Sequence, residues 1–217
     1  RMAAAIIKAD ESRRYVVPSA PGKRFAGDTK VTDMLYEFNR LVRDRAPVEE
    51  TDAYFDKICT RYYTIIDELG LNFDISAEML YIKNAIMGRA GRDYAASRGE
   101  YLSGLILAKY LGYDFIDAEN VIYFTESGAF DADRTQEIMS AELARHAHAV
   151  IPGFYGITPN ETVKTFSRGG SDVTGSIVAR AVNADLYENW TDVSGFMMAD
   201  PRIVPDPLTI KTITYRE

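Results

Sequence analysis

The run Lys164-Thr-Phe-Ser-Arg-Gly-Gly-Ser-Asp172 joins a strand-like segment to an apolar helix through one arginine and two glycines. The glycines let backbone N–H groups turn toward a ligand, and the N-terminus of the following helix favours negative charge. Arg168 could grip a carboxylate with two parallel hydrogen bonds. Taken alone, the pattern favours a simpler interpretation, in which Ser171 and Asp172 cap the helix. It lacks the Lys-Ser or Lys-Thr ending of a P-loop.

The composition is that of an ordinary globular chain. Its 217 residues are 47% hydrophobic and 26% charged, with a formal net charge of −7. That length suffices for one large domain or two small ones, and the negative charge argues against nucleic acid or an anionic membrane as the main partner. No apolar run approaches the roughly 18 residues of a membrane span. The single cysteine, Cys59, excludes an internal disulfide framework and indicates a reducing compartment, so we expect a cytoplasmic protein.

Strand-like and helix-like segments alternate along the chain, which predicts an α/β fold with a largely parallel sheet. Helices are expected at about 1–9, 31–43, 51–69, 76–87, 94–111, 131–146 and 173–182. Strands are expected at about 15–17, 114–117, 121–124, 149–152 and 184–189. Ser76 and Asp131 are predicted to cap their helices. The helical stretch near 44–93 is long for a crossover between strands, so we expect an insertion beside the sheet.

Two further motifs carry residue types that suit an amino-acid ligand. Ser97-Arg-Gly-Glu100 is predicted to interrupt the helix at 94–111 and to place Glu100 at the start of its apolar part. There the carboxylate either complements the helix dipole, which is the simpler interpretation, or holds the ammonium group of a ligand. Ser19-Ala-Pro-Gly22 follows a buried strand, where the loops of α/β sheets collect ligands. Thr32, one turn into the next helix, could add a hydroxyl or be an ordinary helix residue.

The sequence gives little support for a metal site built from side chains. His146 and His148 stand two residues apart near a helix end with no third ligand nearby, which favours a surface or dipole role. Cys59 falls on an apolar helical face and is predicted to be a core residue.

Six motifs, in this order, resemble those of the aspartokinases among the amino-acid kinases. They are Ser19-Ala-Pro-Gly22, Ser97-Arg-Gly-Glu100, Val150-Ile-Pro-Gly-Phe154, Lys164–Asp172, Trp190-Thr-Asp-Val-Ser-Gly195 and Ala199-Asp-Pro-Arg202. The resemblance runs from about Tyr15 to the last residue. It implies a three-layer α/β/α sandwich around a mostly parallel sheet, with residues 1–217 as one catalytic domain. It further implies that ATP, with Mg²⁺, phosphorylates the β-carboxylate of L-aspartate to 4-phospho-L-aspartate. That reaction opens lysine, threonine and methionine biosynthesis, and the family tends to form homo-oligomers.

The resemblance also implies a role for each residue of the motifs. The substrate would be held by Arg168 on its α-carboxylate, by Glu100 on its ammonium group, and by polar contacts from Ser19, Thr32 and Ser171. Asp172 would orient a catalytic lysine. The nucleotide would be touched by Thr191 and Asp192, by Arg202 near its phosphates, and by Met197, which stands where many members have a tyrosine.

Several departures from the family pattern qualify this expectation. The Lys-Phe-Gly-Gly motif of the family's first strand, a second lysine expected beyond Glu217 and the C-terminal ACT domains are absent from these residues. We therefore expect a catalytic domain truncated at both ends, with little or no activity by itself. Pro18 interrupts a position that is usually apolar, which a strand end accommodates.

Two alternatives remain open. One is a kinase for another acidic amino acid, glutamate or N-acetylglutamate. Glu100 bears on the latter, because a free ammonium group needs a carboxylate and an acetylated nitrogen does not. The other alternative is a non-catalytic fragment that binds aspartate or a partner chain without phosphorylating anything.

Overall fold

The computed structural model describes residues 1–167, 169–190, 197–200 and 203–210. Two compact units make up the chain, Arg1–Leu186 and Tyr187–Glu217. In the described part of the second unit, Met197 and Thr209 pair as an antiparallel bridge. No helix among the described residues is long and apolar enough to cross a membrane.

The first unit contains helices and short strands in alternation. The helices are α1 (Met2–Lys8), α2 (Val31–Arg43), α3 (Val48–Leu69), α4 (Ser76–Met87), α5 (Arg92–Leu111), α6 (Ala132–Leu143) and α7 (Gly170–Ala181). The strands are β1 (Tyr15–Val16), β2 (Asp114–Phe115), β3 (Ala149–Val150), β4 (Tyr155–Ile157) and β5 (Val163–Thr165). A single turn of 3₁₀ helix at Ala118–Asn120 follows β2.

A parallel sheet with the strand order β1-β3-β2 forms the centre of this unit. Tyr15 pairs with Ala149, and Phe115 pairs with Val150. Successive side chains of a strand point to opposite faces. Val150 accordingly packs with residues of α1 and α5, while Ala149 packs with residues of α6 and α7. Helices thus cover both faces of the sheet, and the predicted three-layer α/β/α sandwich is confirmed.

The helices α2 to α5 share a second hydrophobic core. Leu35 and Phe38 of α2 are fully buried in it, and the ring of Phe38 lies 4.9 Å from that of Phe55 on α3. The stretch near 44–93 is therefore helical, as predicted, and it packs on α2 and α5. Cys59 lies half-buried against this core, as predicted, and burial raises the pKa of its thiol to about 11.

A two-stranded antiparallel sheet, β4 with β5, leads into the glycine-rich turn. The strand predicted before that turn is confirmed, but its partner is β4 and not a strand of the parallel sheet. Tyr155 of β4 is fully buried, and its hydroxyl donates to Asp117 Oδ1 at 2.8 Å. This bond ties the hairpin to the segment that follows β2.

The predicted interruption of α5 is wrong. The helix runs continuously from Arg92 to Leu111, across the Ser97–Glu100 motif. Gly99 is found inside it because its missing side chain admits the loop after β1. A Cβ added at Gly99 would lie only 2.8 Å from the Cβ of Ala20. The glycine marks a close approach between two segments and not a break in the helix.

Two predicted strands are also wrong. Residues 121–124 and 184–189 are described throughout, and neither segment forms a strand. In the first, Tyr123 and Phe124 make isolated bridges. In the second, the side chains are mostly exposed, as at Leu186, which is 74% exposed. A strand persists where a neighbour satisfies its N–H and C=O groups, and no described strand lies beside 184–189.

One predicted helix cap is confirmed and the other is wrong. The carboxylate of Asp131 accepts the N–H of Arg134 at 3.1 Å, as a cap does. Ser76 is not at the cap position, which belongs to Ile75. Instead the Asp74 carboxylate accepts both the N–H of Ser76, at 2.8 Å, and its hydroxyl. The carboxylate two residues earlier therefore accepts the first N–H of the helix, and the serine hydroxyl is used as a donor to it.

Asp131→Ala is therefore expected to lower the free energy of unfolding by about 1 kcal/mol, because it leaves the N–H of Arg134 without its acceptor. Urea denaturation measures the loss. Ser76→Ala is the matched control and should change stability by less than about 0.5 kcal/mol, since Ser76 caps nothing. Equal losses in the two variants would contradict the assignment of the caps.

Candidate functional site

The carboxyl ends of the three parallel strands lie at one edge of the sheet, where α/β proteins bind ligands. Residues 17–22 follow β1, and residues 151–154 follow β3. The two segments touch, because the N–H of Gly153 donates to the carbonyl of Pro18 at 3.1 Å. Pro18 itself stands just past the end of β1, a position that accommodates a proline.

Glu100 lies well inside α5, so its predicted place at a helix start is wrong, and the dipole interpretation fails with it. The residue is 6% exposed, and Ala20 packs against the neighbouring Gly99, from where its backbone N–H acts to lower the pKa of the carboxylate. Its Oε2 has no hydrogen-bond partner among the described residues. Burial raises the pKa of Glu100 to about 7, against the opposing effects of the Ala20 N–H and Arg98. A buried carboxylate with one unsatisfied oxygen suits a cationic ligand group.

Helix α2 brings further polar groups toward this carboxylate. The charge of Glu100 acts on the hydroxyl of Tyr36, whose pKa is raised mainly by burial. Thr32 is half-buried one turn earlier on α2, and Ser19 is exposed in the loop after β1. Both predicted substrate residues thus belong to segments that meet near Glu100.

The glycine-rich turn places a glycine, and not a polar side chain, at the start of α7. Gly169 occupies the N-cap position with φ 74°, a left-handed conformation that glycine adopts readily. Ser171 and Asp172 lie within the first turn, so the cap predicted from them is wrong. Ser171 packs closely on the loop after β3, since a Cβ added at Gly153 would lie 2.7 Å from the Cβ of Ser171.

Phe154 fixes the same turn from the loop after β3. Its N–H donates to the hydroxyl of Thr174 at 3.0 Å, and its carbonyl accepts the N–H of Phe166 at 2.8 Å. Phe154 holds φ 84°, which is uncommon for a residue with a side chain. Its backbone thus links the loop after β3 to both sides of the glycine-rich turn.

The predicted site residues fall into three groups. Ser19, Thr32, Glu100 and Ser171 lie on segments that the contacts above join at the sheet edge. Asp172 is exposed in the first turn of α7, and Met197 is half-buried in the second unit. Four predicted residues lie outside the described part of the chain, namely Arg168, Thr191, Asp192 and Arg202. The roles of these four stay predictions.

A buried ion pair that the sequence did not predict anchors the loop after β1. Arg61 Nη1 lies 3.0 Å from Asp28 Oδ2, and Arg61 Nη2 donates to the carbonyl of Gly22 at 2.5 Å. The two charged side chains are only 7% and 10% exposed. One signal could have found the pair, because Arg61 stands beside the apolar residues Ile58 and Tyr62 on α3, where a charge needs a partner.

The histidines make structural contacts. His146 lies 2.7 Å from Asp114 and 3.2 Å from Glu142, and the hydrogen bonds to these carboxylates raise its pKa. The ring of His148 lies 4.6 Å from that of Tyr113. Within the described ranges, no group of three or more His, Cys, Asp or Glu side chains could hold a metal ion.

The sequence model of the amino acid kinase family matches residues 1–217, and the chain belongs to that family. Within it, the chain is similar to Aspartokinase 3 of Bacillus subtilis, with 34% identity over 98% of this chain and 49% of the relative. It also matches the crystal structure of Clostridium acetobutylicum aspartate kinase, with a TM-score of 0.93 and 53% identity over 99% of this chain and 49% of that one. The fold extends to E. coli aspartokinase III in complex with aspartate and ADP, with a TM-score of 0.78 and 24% identity over 95% of this chain and 48% of that one. The chain spans about half the length of these relatives.

Proposed function

We propose that this chain forms the catalytic part of a cytoplasmic aspartate kinase, which transfers the γ-phosphoryl group of ATP to the β-carboxylate of L-aspartate. In that role it opens lysine, threonine and methionine biosynthesis as part of a homo-oligomer. The observation that carries the proposal is the buried carboxylate of Glu100, whose Oε2 has no partner in the described part of the chain. Together with the family membership and the similarity to aspartokinases, it supports an amino-acid substrate with a free ammonium group.

A ligand ammonium group complements Glu100 electrostatically. Burial disfavours the charged form of this carboxyl and raises its pKa to about 7. An ammonium group beside Oε2 would favour the charged form and satisfy the free oxygen. An acetylated nitrogen carries no charge and would leave the carboxylate unpaired, which disfavours N-acetylglutamate as the substrate.

In this proposal the glycine-rich turn and its neighbours bind the rest of the substrate. Arg168 holds the α-carboxylate with two parallel hydrogen bonds. Ser19, Thr32 and Ser171 contribute hydroxyl contacts, and Asp172 orients a catalytic lysine. The β-carboxylate of aspartate is already ionised at pH 7, so the site needs no general base. The site must instead position the β-carboxylate and the γ-phosphate of ATP and supply positive charge, because these two anions repel each other.

ATP with Mg²⁺ supplies the phosphoryl group when it is bound. In this proposal the nucleotide is contacted by Thr191, Asp192, Met197 and Arg202. In the same proposal, Mg²⁺ is held mainly by phosphate oxygens and water, as this ion often is.

Turnover of three acidic substrates tests the proposal on the full-length protein that carries this chain. Aspartyl phosphate is trapped with hydroxylamine, and ATP consumption is compared with aspartate, glutamate and N-acetylglutamate. We expect kcat/KM for aspartate to exceed that for glutamate by about 10-fold to 200-fold, the usual effect of one methylene, and N-acetylglutamate to be inert. Equal or faster turnover of either competitor would assign the chain to another acidic amino acid.

The 217 residues alone are expected to show little or no turnover. The same trapping assay measures it, and aspartyl phosphate formed at rates near those of the full-length protein would contradict this prediction. Calorimetry, which measures aspartate binding, distinguishes the non-catalytic alternative from a kinase. Aspartate binding without turnover, in the full-length protein as well as in this chain, would favour a binding role.

A further inference from the structure

Helix α3 contacts the loop after β1 through one buried arginine. Arg61 Nη2 donates to the carbonyl of Gly22 at 2.5 Å, and Nη1 donates to Asp28 Oδ2 at 3.0 Å. The guanidinium therefore holds the loop at two points six residues apart in sequence. A planar fork that stays charged when buried is suited to bridging two such acceptors.

The next residue of α3 contacts the helix that carries Glu100. The Tyr62 hydroxyl donates to the carbonyl of Gly99 at 2.7 Å, and the side chain is fully buried. Gly99 directly precedes Glu100 on α5. Adjacent residues of α3 thus hold the loop that carries Ala20 and the helix turn that carries Glu100.

An apolar groove lies between part of this loop and α3. A cavity of about 220 Å³ is lined by Pro18 and Pro21 of the loop and by Tyr62, Ile65 and Leu69 of α3. Beside this groove, the hydrogen bonds of Arg61 join the loop to the helix directly.

We propose that Arg61 is a positioning residue for the substrate ammonium site, because it holds the loop after β1 where Ala20 packs against Gly99, next to Glu100. The inference rests on the proposed function. Stability alone does not account for the pair, since a buried ion pair is often no more stable than apolar residues of the same volume. Moreover, Arg61 Nε is buried with no hydrogen-bond partner among the described residues, which is unfavourable.

Steady-state kinetics of the full-length protein test the role of Arg61. Arg61→Met is expected to raise KM for aspartate about tenfold and to leave KM for ATP within about twofold, because the loop contacts the amino-acid side of the site. Arg24→Met is the matched control. Arg24 is exposed and pairs with the same carboxylate, Asp28, at 2.8 Å, so its loss should leave both constants within about twofold.

An unchanged KM for aspartate in Arg61→Met, or a parallel rise in both constants, would overturn the inference. If that variant does not fold, Arg61→Lys replaces it in the same assay. A lysine keeps the charge opposite Asp28 but cannot bond Asp28 and Gly22 with a planar fork, so the rise in KM for aspartate alone is still expected.

A titration that needs no turnover separates this inference from the proposed function. Carbon-13 NMR of Glu100 in the free protein should report a higher pKa in Arg61→Met than in the wild type, because the N–H of Ala20 moves away from the carboxylate. An unchanged pKa would overturn the positioning role. If the wild type does not phosphorylate aspartate, the proposed function fails, and this titration still decides whether Arg61 holds Ala20 against Glu100.

Discussion

Glu100→Gln is expected to raise the stability of the chain at pH 8 and to abolish aspartate binding. Burial raises the pKa of Glu100 to about 7, so at pH 8 the folded chain keeps a buried carboxylate in its unfavourable charged form. Glutamine has nearly the same shape and keeps one carbonyl oxygen as an acceptor, but it has no charge to offer an ammonium group. Replacing a residue that destabilises the fold but binds a ligand is expected to raise stability and to weaken binding.

The gain in stability has a defined dependence on pH. The folded-state pKa of Glu100 is about 7, above the ordinary value of 4.5. The folded chain therefore binds the extra proton between these two values, so the stabilising contribution is complete below pH 4.5 and is lost as pH rises through 7. The variant should match the wild type near pH 4 and exceed it by about 3 kcal/mol at pH 8. Urea denaturation at both pH values measures the difference.

Glu119→Gln is the matched control, because its carboxylate is already paired. Glu119 Oε1 lies 2.6 Å from Arg98 Nη2, and the Arg98 side chain is 5% exposed. Removing one partner leaves a buried charge unpaired, so this variant should lose stability and still bind aspartate in calorimetry. A Glu100→Gln chain that binds aspartate like the wild type, or that is less stable at pH 8, would contradict the role given to Glu100.

The parts of the fold that depend on local pattern could be predicted from the sequence. Leu35 and Phe38 recur at helical spacing, and Asp131 precedes its helix as a cap should. The errors arose where a distant segment decides the outcome. Gly99 resembles a helix break in sequence, yet it serves a contact with Ala20, which lies far away in the chain. Residues 184–189 have the composition of a strand but no described strand beside them.

At the candidate site too, the residue types could be predicted from the sequence, but their surroundings in the fold could not. The motifs predict Glu100 and Ser171 as site residues from the chemistry of their side chains, which can be read from the sequence. The burial that raises the pKa of Glu100 and the contact of Ser171 with Gly153 are tertiary, and no spacing encodes them. The apolar neighbours of Arg61 on α3 indicate that it needs a partner, but they do not identify that partner as Asp28, which belongs to another segment.

Gly153→Ala is expected to lower the free energy of unfolding by about 2 to 3 kcal/mol and to weaken aspartate binding at the same time. A Cβ at this position would lie 2.7 Å from the Cβ of Ser171 and 2.8 Å from its Cα. The backbone must give way, because a Cα is not the far end of a flexible side chain. Gly153 is itself held by the carbonyl of Pro18, so the start of α7 moves and takes Ser171 and Asp172 with it.

Gly27→Ala is the matched control, since a Cβ there would meet only the ring of Phe25, at 3.8 Å, an ordinary contact. Its stability should stay within about 0.5 kcal/mol of the wild type. Urea denaturation and calorimetry with aspartate are made on both variants. Stability lost from Gly153→Ala with affinity retained would mean that the start of α7 does not contribute to binding. Unchanged stability would mean that the loop after β3 and α7 can separate freely, and then their close approach could not position Ser171 at the site.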